Sequence, residues 1–176
     1  SSLPEIWQAR IRKLQDRGDS LSAGDLGIVF DLVDALMGEH PIDPDRIYVL
    51  GHSMGGFGTW NAICQQPDRF AAAIPSAGGC DPRNDIRRIV DVPVWAFHGN
   101  ADETVPVDLT RDAFRQLCEL QANTKYTELG GVGHGQQHTF VYSGDDPARG
   151  FETHYASERC DRTGDVWDWL FAQKRT

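Results

Sequence analysis

The chain has 176 residues, with 17 Lys and Arg against 26 Asp and Glu and a formal charge of −9. An acidic surface of that size excludes nucleic acid and anionic membrane as main partners, because both repel it. No apolar run approaches the ~20 residues that span a bilayer, and 40% apolar with 24% charged residues is the make-up of one soluble globular domain, taken as residues 1–176.

The four cysteines, Cys64, Cys80, Cys118 and Cys160, are widely spaced and form no C-x-x-C pair. A zinc site is not expected from that spacing. Buried free thiols and one disulfide both remain open.

Taken in chain order, residues 1–21 give an irregular or partly helical lead-in. Ser22 and Asp25 form an S-x-x-D capping box that predicts a helix start. Leu26, Val29, Phe30, Val33, Leu36 and Met37 recur at helical spacing and share one face; Gly38 and Pro41 end it. Ile47–Leu50 is apolar throughout, as in a strand covered on both faces. A helix follows over about Gly55–Gln66, stopped by Pro67. Strands are predicted at Phe70–Ile74, Val94–His98 and Lys125–Leu129, and helices at Leu109–Leu120 and Asp165–Lys174. Residues 136–163 read as a long polar excursion. Strands alternating with helices predict an α/β fold with a parallel sheet flanked by helices. Function in such sheets collects beyond the carboxyl ends of the strands.

Three candidate residues fall at such ends. Gly51-His52-Ser53-Met54-Gly55 is a G-x-S-x-G between a strand and a helix, the context in which the motif exposes a serine hydroxyl on a strained turn. The glycines are expected to clear space beside the serine. The Met54 N–H, at the helix N-terminus, is placed to bind an oxyanion. Asp102, in His98-Gly99-Asn100-Ala101-Asp102, can orient an imidazole; Glu103 and Asp108 are the neighbouring carboxylates. His134, between Gly133 and Gly135, can take the proton of a serine that does not ionise unaided. The order Ser, Asp, His is that of an α/β-hydrolase.

The spacing of His134 and His138 is superficially like H-E-x-x-H, but it lacks the glutamate and its glycines oppose a helix, so no metal is expected. His52 and His98 read as structural. His154 is a residue that could reach substrate. Tyr142, Phe151, His154 and Tyr155 could wall the site, and Trp60, Trp95 and Tyr142 could stack sugars, although core packing is the commoner role of such rings.

The run from Asp43 to Trp60, with Pro67–Ala73, Val92–Gly99, Lys125–Thr127 and Trp167–Phe171, resembles the phospholipase/carboxylesterase-like branch of the α/β-hydrolases, near the predicted peptidases and dienelactone-hydrolase-like esterases. The resemblance implies hydrolysis of a small-molecule or carbohydrate-linked carboxylic ester, with no cofactor or metal. It puts the nucleophile, acid and base on Ser53, Asp102 and His134 and the oxyanion donor on Met54. Serine peptidase activity and acetyl or feruloyl removal from carbohydrate are the alternatives. It also favours a secreted or periplasmic location. The family's early strands and the loop bearing the other oxyanion N–H are expected before Ser22 and have no counterpart in residues 1–21. A missing upstream segment, self-association through an exposed sheet edge, and a module inactive alone are the expectations attached to that gap.

Overall fold

The computed structural model describes residues 26–141, 143–144 and 146–175. The lead-in, the capping box of Ser22 and Asp25, and Tyr142 lie outside them. The chain divides into two units, Ser1–Ile42 and Asp43–Thr176.

In the first unit, helix α1 spans Gly27–Glu39, begins after Leu26 without a side-chain cap, and buries Phe30. Val29 and Leu36, on the predicted apolar stripe, are exposed. Periodicity states which residues share a face; it does not state what covers that face.

The second unit holds a sheet of five strands in the order β1-β2-β3-β4-β5. Their ranges are β1 Tyr48–His52, β2 Ala72–Ser76, β3 Val94–Gly99, β4 Thr124–Leu129 and β5 Phe151–Tyr155. The first four run parallel. Helix α2, Met54–Gln65, joins β1 to β2, and α3, Asp108–Glu119, joins β3 to β4. The short α4, Gln137–Phe140, follows β4, and α5, Val166–Ala172, closes the unit, capped by the Asp165 carboxylate on the Trp167 and Asp168 N–H groups.

Residues 136–163, read as a polar excursion, hold β5, which pairs antiparallel with β4, so the sheet is mostly parallel. An edge strand needs only one well-buried side chain. Phe151 supplies it at 2% exposure, and Glu152, Thr153 and His154 disguise the strand as loop. Conversely, β1 is apolar in sequence but only half-buried, with Leu50 exposed at 42%. Among the described residues it pairs on one side only, with β2, because it is the terminal strand.

The central strands β2 and β3 are buried at every position. Trp95 and Phe97 stack at 5.2 Å, and Trp169 of α5 meets Trp95 edge-on at 5.4 Å. Trp60 and Trp95 are core residues, at 1% and 0% exposure, so neither presents a face to a sugar. Lys125 is also buried. Its ammonium donates to the Asp161 and Thr163 carbonyls at 3.0 and 2.7 Å and lies 3.5 Å above the Trp95 ring. Cation–π attraction and two carbonyl dipoles offset the desolvation of that charge.

Candidate active site

The turn from β1 into α2 sets the serine. Ser53 has φ 57° and ψ −117°, a left-handed backbone that costs an L-residue about 1–3 kcal/mol. Packing around the turn over-determines it. A Cβ on Gly51 would run into the Gly55 carbonyl, and one on Gly56 would run into the Ser76 carbonyl. The same Ser76 carbonyl accepts the Ser53 N–H at 2.9 Å, which clamps the turn to the end of β2. The expectation for the glycines is refined here. Gly55, the last glycine of the motif, has open space around it, and Gly56 is the crowded one. The Met54 N–H stands at the first helical position, where α2 itself supplies no acceptor.

Asp102 and His134 reach the serine from two other strand ends. Asp102 follows β3 and His134 follows β4. His134 Nε2 lies 2.8 Å from Ser53 Oγ, and Nδ1 lies 2.7 Å from Asp102 Oδ2. Both ring nitrogens of His134 are thereby engaged. The neighbouring carboxylate Asp108 instead pairs with Arg111 at 3.0 Å.

The Asp102 side chain is fully buried, and its two oxygens are treated differently. Oδ1 accepts the backbone N–H groups of Thr104 and Val105 at 2.9 and 2.8 Å. Oδ2 accepts from Gln137 Nε2 at 2.6 Å as well as from His134. Burial alone would raise the Asp102 pKa. The hydrogen bonds from Val105, His134, Thr104 and Gln137 outweigh it and hold the carboxyl below the ordinary range. It is therefore ionised at neutral pH.

Gln137 and His98 were not singled out for this role from sequence. Gln137, three residues after His134, is fully buried and bridges Asp102 to the Gly99 N–H, which its Oε1 accepts at 3.0 Å. His98 is fully buried, with Nε2 3.0 Å from the Val105 carbonyl and 3.3 Å from Asp102 Oδ2. Two acceptors face Nε2, so that nitrogen carries the proton. Burial lowers the His98 pKa, which favours this neutral ring. His52 lies beside the His134 ring, centroids 5.1 Å apart. Burial, and then the His134 and His138 rings, lower its pKa, so it is neutral at pH 7. His154 is on β5, against the Phe114 and Tyr126 rings. Phe151 is buried in the core, and Tyr155 carries the Arg162 guanidinium 3.9 Å over its ring.

A mostly parallel sheet with helices between its strands and a strained serine turn between β1 and α2 form the α/β-hydrolase fold. Comparison with known proteins agrees. Residues 29–88 match the prolyl oligopeptidase family. NocK of Nocardia uniformis subsp. tsuyamanensis, described as an esterase, is 33% identical over 105 residues, covering 59% of this chain and 30% of that protein. Cutinase est1 of Thermobifida alba is 33% identical over 93 residues, covering 53% of this chain and 30% of the cutinase. A thermostable esterase of known structure superposes with a TM-score of 0.68 at 34% identity, over 85% of this chain and 37% of its own. The acylaminoacyl peptidase of Pyrococcus horikoshii shares the fold, with a TM-score of 0.53 at 19% identity over 61% and 23% of the two chains. This chain thus spans well under half the length of each of these proteins. Among its described residues no helix is long and apolar enough to cross a membrane.

Proposed function

We propose that this chain carries the active centre of a serine hydrolase that cleaves carboxylic esters through an acyl-enzyme. The observation that supports the reading is the unbroken hydrogen-bonded series from Ser53 Oγ through His134 to Asp102. Ser53 Oγ attacks the ester carbonyl as His134 Nε2 takes its proton. The buried Asp102 carboxylate keeps the other ring proton on Nδ1 and stabilises the imidazolium that forms. The Met54 N–H donates to the developing oxyanion. His134 then protonates the departing alcohol, leaving the acyl group on Ser53. A water deprotonated by the same imidazole releases the acid. No step calls for a metal or cofactor.

The test is a fluorophosphonate probe on the folded chain, read by intact mass and peptide mapping. One adduct is expected, on the peptide containing Ser53, together with turnover of p-nitrophenyl acetate. A folded chain that takes up no probe sinks the reading. Peptide hydrolysis is a second reading, favoured by the match of residues 29–88 to the prolyl oligopeptidase family. A higher kcat/KM on an N-acyl-peptide anilide than on any ester selects it. Acetate release from acetylated xylan would instead select a carbohydrate-linked substrate, as in the bifunctional acetylxylan esterase/xylanase XynS20E of Neocallimastix patriciarum, 31% identical over 105 residues.

Gln137 is a positioning residue in this scheme. Gln137→Ala removes one donor from Asp102 Oδ2, a bond to a charged group worth about 1.5 kcal/mol at the low end. The expected result is a kcat about tenfold lower with KM little changed. A purely structural role would lower the thermal midpoint and leave kcat of the folded fraction intact.

A further inference from the structure

We propose that Cys64 and Cys80 are a redox-active pair that closes to a disulfide, tying the nucleophile helix to the segment beyond β2. The proposal does not depend on the catalytic role of Ser53.

Three observations carry it. The two Sγ atoms lie 3.9 Å apart, so side-chain rotation with a small backbone adjustment brings them to bonding distance. They lie on elements already fastened together. Cys64 is in the last turn of α2, and Cys80 follows the Gly78-Gly79 segment, where a Cβ on Gly78 would collide with the Phe57 N. The side chains next to the pair also bridge the same two segments, Asn84 Nδ2 donating to Asn61 Oδ1 at 2.6 Å. Finally, the pair is asymmetric in access. Cys64 is buried at 2% exposure, whereas Cys80 is partly exposed and lines a cleft of about 220 Å³ with Asp81, Asn84, Leu109, Asp112 and Gln116.

That asymmetry assigns the roles. The hydrogen bond from Cys64 holds the Cys80 thiol below the ordinary thiol range against the effect of burial. The same hydrogen bond, and then burial, push the Cys64 thiol up. Cys80 is therefore the attacking thiolate, and Cys64 is the resolving thiol. With glutathione disulfide as oxidant, Cys80 Sγ attacks one sulfur, forming a mixed disulfide and expelling one glutathione thiolate. That thiolate takes the Cys64 proton. Cys64 Sγ then attacks Cys80 Sγ and expels the second glutathione thiolate, which takes up the proton released when Cys80 ionised. Two protein thiols are oxidised, and one glutathione disulfide is reduced to two glutathione thiols.

The experiment treats the whole chain with glutathione disulfide, denatures it in N-ethylmaleimide, and reads intact mass and a non-reducing peptide map. The expected result is two fewer alkylated thiols, a cross-linked peptide pair containing Cys64 and Cys80, and a thermal midpoint about 5–10 °C higher, reversed by dithiothreitol. In Cys64→Ser the reaction should stop at a glutathione adduct on Cys80. Four alkylated thiols after oxidation, a wild-type chain arrested at the Cys80 adduct, or a cross-link mapping to Cys118 and Cys160 each overturns the proposal. The map on the wild-type chain decides the matter even if the variant does not fold.

Discussion

Replacing Ser53 by Ala is expected to lower kcat on an ester by about 10⁶-fold while the folded chain persists. The magnitude is that for removing a nucleophile whose partners act only through it. Among the described residues Ser53 Oγ is the serine oxygen within hydrogen-bond reach of His134 Nε2, at 2.8 Å. With it gone, the imidazole has no hydroxyl to activate, and only slow attack by water remains. Folding should survive because the turn is held by backbone groups, the Ser53 N–H on Ser76 and the Phe57 N–H on the Ser53 carbonyl. Alanine retains both bonds and has the same aversion to φ 57°. The comparison is of steady-state kcat and thermal midpoint in the two chains. A variant that keeps more than a hundredth of the activity with an unchanged midpoint would move the nucleophile elsewhere.

Asp102→Asn is expected to lower kcat by about 10⁴-fold, through the tautomer of His134 and not through its position. Oδ1 accepts two backbone N–H groups, from Thr104 and Val105, so the asparagine carbonyl must take that place. Its NH₂ then occupies the Oδ2 position, facing His134 Nδ1 and Gln137 Nε2, both of which donate there in the native site. To avoid a donor–donor clash, His134 moves its proton to Nε2. The nitrogen facing Ser53 can then no longer accept. The change should appear almost wholly in kcat.

The same substitution has a stability signature. The folded-state pKa of Asp102 is depressed. Its contribution to stability is therefore complete above the unfolded value of about 3.9 and is lost as pH falls through the folded value. The wild-type midpoint should drop more steeply below about pH 4 than that of the Asn variant. Equal slopes would mean that the carboxylate gains nothing from its buried hydrogen bonds.

Much of this protein is legible in its residues. The run Ile47–Leu50, the glycines at 51, 55 and 56, and Pro67 describe a strand, a tight turn and a terminated helix by local rules alone. Such rules act between residues a few positions apart, where backbone sterics and side-chain period decide. The motifs of Ser53, Asp102 and His134 were visible for the same reason, each being a short pattern at a strand end. The sequence names Asp102 as the acid, but the selection of Asp102 over Glu103 and Asp108 is not made locally. It depends on which carboxylate is turned inward, where the Thr104 and Val105 N–H groups hold Oδ1 and leave Oδ2 to face His134.

Tertiary structure alone decided the rest. Gln137 reads as one glutamine in a polar stretch, and it becomes a bridge between Asp102 and Gly99 only because α4 packs under the end of β3. Strand β5 is hidden by its polar residues, since an edge strand is selected by its neighbour β4 more than by its own apolarity. Cys64 and Cys80, 16 residues apart in sequence, come within 3.9 Å because the segment after β2 leaves the start of α2 at Gly78 and runs along the helix to its last turn. Sequence encodes the local conformations and the chemical types. Long-range packing selects which of those groups face one another, because that selection is made by the surfaces that bury together and not by positions along the chain.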